Sequence, residues 1–396
     1  MLKHKIFIYG YNIHTVNMSN FIRESVEILG YIDNHNKSVG KYLIISEEKI
    51  SNYLFDYIVV TDNNSEQNLI VRGISKHNIL NLHTYIHTYI QSNKLNPYFH
   101  WYLRLYKSME KAKQNKTYEI IVIGLSYGYM GIVPDLMKKE TLKLTVANQD
   151  FYYDYLIAKS VLSIENNVKY CIMGVGYYCF DYDLSLRKSL PLNIPHVYYP
   201  IFKDAHHFIL PDNYSVIDIE NINYFTDKAL TTIFKDDFCI YCFENILKMN
   251  LTLNPSPQEW EYDYNEVPIR YFDEKTLILK AEKYAREFDT LNHPETVIEN
   301  KKIFKNYLEL LNNFNIEPII VIFPVPSICY NYLDKKREDR FYSIIREMNR
   351  SYNFQLIDMF RCELFNLEDF RDFDHLNRKG ATKMTNLLND LICFRN

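Results

Sequence analysis

One run of residues decides the fold of the larger part of the chain: Glu119-Ile120-Ile121-Val122-Ile123-Gly124-Leu125-Ser126. Its unbroken apolar, β-branched character is typical of a buried strand, and the glycine marks the end of that strand. A serine follows two residues later. Ligands and catalytic groups in open α/β sheets gather at the carboxyl ends of the strands. The run therefore predicts a buried strand that places Ser126, a candidate nucleophile, at the functional edge of a sheet.

Segments with strand and helix patterns alternate after this run. Strands are predicted at 142–146, 169–175, 318–323 and 354–358, and helices at 151–164, 294–313, 335–351 and 378–393. Such alternation predicts a parallel sheet with helices packed against it. A long, aromatic-rich insertion of irregular sequence interrupts the series at about 180–291. We assign residues 93–396, with this insertion, to one domain.

Residues 1–92 show a smaller α/β pattern of their own. Strands at 5–9, 28–32, 57–61 and 79–82 alternate with helices at 16–25, 47–53 and 65–71, which predicts a Rossmann-like sheet. Dinucleotide binding requires three glycines after the first strand, and residues 10–14 (Gly-Tyr-Asn-Ile-His) supply one, so we expect no bound cofactor. The motifs at 8–10, 30–34 and 56–60 resemble small Rossmann-like domains that accompany bacterial glycan-modifying enzymes.

A second segment with candidate catalytic residues lies near the end of the chain: Asp372-Phe373-Asp374-His375-Leu376-Asn377-Arg378-Lys379-Gly380. A serine nucleophile needs a base to take its proton, and the base needs an acceptor that fixes its tautomer. Asp372 lies three residues before His375, so one tight turn would let its carboxylate hold the imidazole. The other ring nitrogen would then face Ser126. Asn377 is placed to cap the last helix. The pattern predicts a catalytic triad.

Two blocks carry a resemblance to a known family: Gly124-Leu125-Ser126, and Asp372-x-x-His375-Leu376-Asn377-x-x-Gly380. Through them, roughly residues 95–396 resemble an SGNH/GDSL-type serine hydrolase or acyltransferase. The resemblance implies a flavodoxin-like α/β/α sandwich. It also implies that Ser126 is the nucleophile, His375 the base and Asp372 the orienting acid.

The resemblance further indicates residues that would hold the oxyanion and the substrate: Gly124, Asn148, Gly174 and Asn377. Asn148 falls where the family has its second oxyanion-hole donor. The family's third block usually supplies Gly-x-Asn-Asp, whereas residues 173–178 read Met-Gly-Val-Gly-Tyr-Tyr. The oxyanion would therefore depend on the backbone N–H of Ser126, on Asn148 or on another loop donor. The degenerate third block resembles that of family members that modify cell-surface glycans, often as acyltransferases.

An alternative to the serine site is the D-x-D motif Asp181-Tyr182-Asp183. Glycosyltransferases use such a pair to hold a metal ion and a sugar nucleotide. Chance occurrences are expected in a chain with 49 acidic residues. A metal-dependent glycosyltransferase that uses Asp181 and Asp183 nevertheless stays open as an alternative function.

Histidines and cysteines in the insertion offer a second alternative. His196, His206 and His207 lack carboxylates or cysteines at metal-ligand spacing, and the C-x-x-C of Cys239 and Cys242 lacks a second pair. We interpret both sets as structural and predict no metal site.

Composition restricts the partners of the chain. The net charge is −4 without a basic block, which argues against a nucleic-acid binder. No run reaches the ~20 apolar residues of a membrane helix, and the N-terminus lacks a signal-peptide pattern. These observations predict a cytoplasmic protein with reduced thiols.

The sequence therefore predicts serine-dependent transfer of an acyl group, in the first instance acetyl, to a carbohydrate or sugar nucleotide. The enzyme would be an O-acetyltransferase of a bacterial surface polysaccharide such as a capsule, or the matching O-acetylesterase. Acetyl-CoA would be available as the acyl donor, and glycan-biosynthesis proteins are expected partners. Aromatic residues at 198–200 and 260–264 could stack on sugar rings. A non-catalytic glycan-binding or scaffold protein is a further alternative.

Overall fold

The computed structural model describes residues 3–34, 43–85, 99–163, 167–187, 192–210, 228–235, 238, 269–287, 291 and 293–394. The chain divides into two compact units. The first comprises Met1–His100 and Ile217–Asn265, and the second comprises Trp101–Val216 and Glu266–Asn396. The boundary that the sequence predicts at residues 92 and 93 lies outside the described residues.

The first unit contains a five-stranded parallel sheet with the order β3-β2-β1-β4-β5. Its strands are β1 (His4–Tyr9), β2 (Val26–Ile32), β3 (Ile44–Ile45), β4 (Tyr57–Val60) and β5 (Ile79–Asn81). The helices α1 (Ile13–Met18) and α2 (Asn63–Val71) follow β1 and β4. This is the strand order of a Rossmann-like sheet, which confirms the predicted fold class of this part.

The helix predicted at 16–25 is shorter and lies earlier than expected. The Asn12 side chain accepts a hydrogen bond from the backbone of Thr15 and so fixes the start of α1, which ends at Met18 in a 3₁₀ turn. Ile22 then forms an antiparallel bridge with Phe234. The Arg23 side chain donates to the carbonyls of Thr231 and Phe234 at 3.0 and 2.8 Å. These contacts require extended backbone, so they end the helix where sequence periodicity would continue it.

The second unit contains another five-stranded parallel sheet, with the order β10-β9-β8-β6-β7. Its strands are β6 (Ile120–Gly124), β7 (Thr141–Lys143), β8 (Tyr170–Val175), β9 (Glu317–Ile322) and β10 (Gln355–Asp358). The three central strands are buried along nearly their whole length, as their continuous apolar runs require. The order matches a flavodoxin-like sheet, which confirms the predicted fold.

The helices that lie wholly or largely in the second unit are α3 (Phe99–Gln114), α4 (Ser126–Gly131), α5 (Phe151–Val161), α6 (Glu274–Glu287), α7 (Pro294–Asn313), α8 (Lys335–Tyr352) and α9 (Arg378–Leu391). α5 and α7 pack through Phe151 and Phe304, whose ring centroids lie 5.1 Å apart. Thr385 of α9 accepts the backbone N–H of Val133 at 2.9 Å. In the part of the chain that the structure describes, no helix has both the length and the apolar character needed to cross a bilayer.

The prediction that residues 180–291 are irregular is wrong at α6. This helix buries Leu277, Ala281 and Ala285, which recur every four residues along one face. Two of these anchors are alanines, so the apolar stripe is hidden in a segment whose composition is dominated by charged residues. α6 brings Tyr284 against Phe373, with ring centroids 6.3 Å apart, and so contacts the loop that carries the predicted acid and base.

Candidate active site

Ser126 is positioned by a sharp turn at the end of β6. Gly124 has φ 134° and lies so close to β8 that a Cβ atom there would fall 2.4 Å from the carbonyl oxygen of Gly174. The backbone N–H of Leu125 donates to that same carbonyl at 2.9 Å. The chain then enters α4 at Ser126. Only glycine fits this close approach, and the turn places the serine just beyond the carboxyl end of the strand.

A tight loop before α9 carries the predicted base and acid. Asp372 Oδ1 accepts the backbone N–H groups of Asp374 and His375 at 3.0 and 2.7 Å. An antiparallel bridge between Phe370 and Leu376 closes the loop at its base. The carboxylate of Asp372 therefore builds the turn that also places it beside the imidazole.

The three predicted triad residues meet in the structure. Ser126 Oγ lies 2.7 Å from His375 Nε2, although the two residues are 249 positions apart in the chain. On the other side of the ring, His375 Nδ1 lies 3.0 Å from both carboxylate oxygens of Asp372. A proton on Nδ1 would be held by the carboxylate, and Nε2 would then present its lone pair to the serine hydroxyl.

A second carboxylate, which is not part of the predicted triad, lies beside the same histidine. Asp374 Oδ1 is 2.9 Å from His375 Nδ1. The side chains of Asp372, Asp374 and His375 are each only 17–18% exposed. The signal in the sequence is the alternation Asp372-x-Asp374-His375, which places two carboxylates within three residues of the base.

The charges around His375 set its protonation. Burial opposes a charge on the ring, but the carboxylates of Asp372 and Asp374 outweigh it and hold the pKa of His375 well above 6.5. Burial would also raise the pKa of Asp372, yet the His375 charge and hydrogen bonds hold it well below its usual range. Burial and the neighbouring Asp372 raise the pKa of Asp374 to about 6. Of the two acids, Asp372 is the one that stays ionised most firmly.

Aromatic side chains pack beside the imidazole of His375. The Tyr127 ring lies 5.6 Å from that of His375 and stacks on Phe323 with centroids 6.2 Å apart. Tyr178 lies next to Tyr127 on the side of β8. Burial raises the pKa of Tyr127 and of Tyr178 well above 10, so both hydroxyls stay neutral and do not replace His375 as the base.

The four residues predicted to hold the oxyanion and the substrate differ in where they lie and in what their groups contact. Gly124 and Gly174 lie side by side in β6 and β8, where they allow the close approach of the strands. Asn148 follows β7 at the same edge of the sheet, half-buried and with φ 57°. Tyr198 donates to its backbone carbonyl at 2.8 Å.

Asn377 is engaged in building the loop. Its side-chain oxygen accepts the N–H of Gly380 at 3.0 Å and so caps α9, as predicted. Its side-chain nitrogen donates to the carbonyls of Glu368 and Phe370 at 2.8 and 3.2 Å. Because both amide hydrogens point to these carbonyls, the side chain has no donor left for a substrate.

The two carboxylates of the D-x-D motif face different partners. Asp181 forms an ion pair with Arg340 and lies 3.6 Å from Arg337. Asp183 instead accepts from Ser185 and faces His207 at 2.8 Å. The pair therefore does not converge on one point, as a shared metal and diphosphate would require. Cys239, Cys242 and the aromatic segment 260–264 lie outside the described residues.

Two family models match separate parts of the chain. Residues 269–390 match the model of the family described as DltD protein, and residues 2–81 match that of the family described as C2185-like, N-terminal. Each match spans less than half of the chain. No curated protein matches the chain significantly.

The DltD match contains the loop with Asp372, Asp374 and His375, while Ser126 lies outside it. Proteins of the DltD family act in D-alanine esterification and belong to an SGNH-like hydrolase group. The match supports acyl-transfer or esterase chemistry in general and leaves the acyl group and the acceptor open.

Proposed function

We propose that the second unit is a serine acyltransferase or esterase that forms an acyl-enzyme on Ser126 and acts on a carbohydrate. One observation carries the proposal: Ser126 Oγ, the His375 ring and the Asp372 carboxylate form one hydrogen-bonded line, with separations of 2.7 and 3.0 Å. The DltD match to the loop that holds two of these three residues supports it.

In the first half-reaction, His375 Nε2 takes the proton of Ser126 as Oγ attacks the acyl carbonyl of the donor ester or thioester. Asp372 holds the proton on Nδ1 and stabilises the imidazolium that forms. The negative charge on the carbonyl oxygen is stabilised by the Ser126 N–H, which lies in the first turn of α4 and so needs no partner within the helix. Asn148 is the proposed second donor. His375 then gives its proton to the leaving alcohol or thiol.

In the second half-reaction, an acceptor hydroxyl loses its proton to His375 and attacks the acyl group on Ser126. The bond from the acyl group to Ser126 Oγ breaks, His375 returns the proton to Oγ, and the acyl group leaves as a new ester or, with water as acceptor, as the free acid. With a sugar hydroxyl as acceptor the enzyme is an O-acyltransferase, and with water it is an esterase. The sequence resemblance to glycan-modifying enzymes supports a carbohydrate acceptor, acetyl as the acyl group and acetyl-CoA as the donor.

A second candidate for the acyl group is D-alanyl. The family match favours it, because the DltD family acts in the D-alanylation of teichoic acids. The same three residues would carry the same two half-reactions, so the acyl group is decided by measurement of turnover with each donor.

A fluorophosphonate probe tests the nucleophile. We expect the wild-type chain to gain one adduct, located on Ser126 by mass spectrometry, and the Ser126→Ala variant to gain none. The matched control is Ser160→Ala, because Ser160 is exposed on α5 and its hydroxyl donates to the carbonyl of Leu156 in the same helix. No labelling of the wild type, or equal labelling of Ser126→Ala, would contradict the proposal.

Acyl-group transfer is then measured with acetyl and D-alanyl donors and oligosaccharide acceptors. Acylated sugar indicates a transferase, whereas free acid alone indicates an esterase. If neither product appears while the probe still labels Ser126, the nucleophile stands and the proposed substrates are wrong.

A further inference from the structure

A second cluster of ionisable side chains lies in the same unit, apart from the triad. Asp183 precedes the 3₁₀ turn Leu184–Leu186 that follows β8, His206 and His207 follow the short helix Tyr199–Phe202, and Glu299 belongs to α7. One ligand atom from each of the four residues lies within 4.8 Å of all the others. Three separate segments of the chain thus bring two imidazoles and two carboxylates to one point.

Each of the two imidazoles has carboxylates at both of its nitrogens. His207 Nδ1 lies 2.8 Å from Asp183, and its Nε2 lies 3.5 Å from Glu299. His206 Nδ1 lies 3.8 Å from Asp183, and its Nε2 lies 3.3 Å from Glu299. A neutral imidazole has one N–H and one lone pair. On each ring a lone pair would therefore face a carboxylate oxygen, which is unfavourable unless the ring is protonated or a metal ion lies between the two atoms.

His206 shows this most clearly. Its side chain is only 7% exposed, and its Nδ1 has no hydrogen-bond partner among the described residues. The ring is clamped between Tyr152 and His207, with centroid distances of 3.8 and 3.9 Å. Tyr152 is itself held by a 2.7 Å hydrogen bond to Asp204. A buried nitrogen that is fixed in place and aimed at a carboxylate beyond hydrogen-bond range has the arrangement of two ligands of one metal ion.

The donor set indicates which cation would fit. Zinc binds imidazole nitrogen and carboxylate oxygen at about 2.0–2.2 Å, so two of its ligands lie roughly 3–4 Å apart. Two separations that this donor choice allows fall in this range: 3.8 Å between His206 Nδ1 and Asp183, and 3.5 Å between His207 Nε2 and Glu299. Imidazole favours zinc and similar transition metals over magnesium and calcium, which prefer oxygen ligands. Two carboxylates and two neutral imidazoles would also balance the charge of a divalent ion.

We propose that Asp183, His206, His207 and Glu299 bind one divalent transition-metal ion, with zinc as the best match. His206 contributes Nδ1, and His207 tilts to converge on the ion, which its half-exposed side chain allows. The interplanar angle between the two rings is 24° in the structure. Four protein ligands complete a tetrahedral site, so the role is structural. The ion joins the loop after β8 and the histidine turn to α7.

This site differs both from the D-x-D metal site considered for the sequence and from the prediction that the chain binds no metal. It uses Asp183 without Asp181, whose carboxylate is paired with arginines. It also departs from the expectation that the chain has no metal site. The carboxylates that the histidines lacked at ligand spacing come from distant segments of the chain.

Metal binding by the full chain tests the proposal. Protein stripped with a chelator is titrated with Zn²⁺ and, separately, with Co²⁺, whose visible absorption reports tetrahedral coordination. We expect one ion per chain, a tetrahedral Co²⁺ spectrum and a rise in Tm upon Zn²⁺ addition. Loss of a residue that merely supports a ligand costs ~10–100-fold in affinity, so His207→Ala and Glu299→Ala should each weaken binding by at least ~100-fold.

The variants are chosen so that they fold. The side chains of His207 and Glu299 are 48% and 37% exposed, whereas Asp183 is buried and its replacement would disturb the turn that it caps. His293→Ala is the matched control, because His293 is exposed and its side chain makes no capping bond at the start of α7. Circular dichroism verifies folding.

Two results would overturn the proposal. One is a wild-type chain that gains neither a Co²⁺ spectrum nor a higher Tm at millimolar metal. The other is binding that the His207→Ala/Glu299→Ala double variant retains in full. Either result would leave the cluster as imidazolium–carboxylate pairs. None of these readouts uses Ser126, so failure here is distinguishable from failure of the acyl-transfer proposal.

Discussion

The Asp374 carboxylate lies 2.9 Å from Nδ1 of His375, as close to the base as the predicted orienting acid Asp372 at 3.0 Å. The imidazole is thus held by two acids on one side and contacts the serine on the other. Two negative charges so near a largely buried ring favour its protonated form. The same arrangement that orients His375 therefore also makes it a stronger base than an isolated histidine.

The first prediction concerns the pH dependence of acylation. His375 must be neutral to accept the Ser126 proton, and its pKa is raised, so the rate should rise with pH and be lost as pH falls through that pKa. Asp374→Asn removes one negative charge and lowers the pKa of His375. We expect the acid limb of the profile to move to lower pH by roughly 1 unit or more. The rate of labelling by the fluorophosphonate probe, recorded as a function of pH in both proteins, measures this shift.

Two variants make the pH experiment specific. Asp372→Asn removes the acid that fixes the tautomer and should lower the rate by ~10²–10⁴-fold at every pH. Asp135→Asn, at an exposed position, should leave the profile unchanged. If Asp374→Asn left the acid limb where it is in the wild type, the inferred influence of Asp374 on the base would be wrong.

Much of this fold can be predicted from the sequence, because its elements are specified locally. Buried parallel strands appear as unbroken apolar runs, and a proline in the first turn starts α7 at Pro294, where the pattern placed it. The meeting of Ser126 and His375 could be predicted because a serine at the end of a buried strand and an Asp-x-x-His pair supply complementary parts of one mechanism, and because a family resemblance joins the same two segments. Neither residue indicates the other by its own surroundings.

What could not be predicted depends on contacts between distant segments. Asp374 approaches His375 because Asp372 folds the loop around its own carboxylate, a detail of backbone conformation that composition does not encode. Glu299 reaches the two histidines only because α7 packs beside α5. The short β3 and the early end of α1 likewise follow from pairing with other parts of the first unit.

The second prediction concerns Gly380 in the first turn of α9. In a helix, alanine is ordinarily favoured over glycine by about 1 kcal/mol. Here a Cβ atom would lie 2.1 Å from the carbonyl oxygen of Asp369, so the loop before the triad acid must move. We expect Gly380→Ala to lower the free energy of unfolding by about 1–3 kcal/mol and to slow acylation. Urea denaturation and probe labelling measure the two effects.

Lys379→Ala is the matched control for this change. The Lys379 side chain is exposed next to Gly380 in the same helix, and its replacement should change the stability by no more than about 0.5 kcal/mol. A Gly380→Ala variant that is as stable as the wild type or more stable would show that the loop accommodates the methyl group, contrary to the inferred close packing.

The third prediction separates the cap from the chemistry at Asn377. Asn377→Ala removes the helix cap and leaves two loop carbonyls without their donor, so we expect a loss of roughly 2–4 kcal/mol in the free energy of unfolding. Asn377→Ser keeps an oxygen for Gly380 and should lose less. Acylation should fall only in parallel with stability. A large loss of rate in a variant that is fully stable would instead place this side chain on the substrate.

The last prediction tests Asn148 as the second oxyanion donor. Its φ of 57° is strained for most side chains, so Asn148→Ala would mix backbone strain with loss of the amide. Asn148→Gly removes the amide and keeps the backbone conformation accessible. We expect kcat to fall by ~10²–10³-fold, with KM and the urea midpoint nearly unchanged, because the donor acts on charge that develops in the transition state. Equal kcat in Asn148→Gly and the wild type would assign the oxyanion to backbone donors alone.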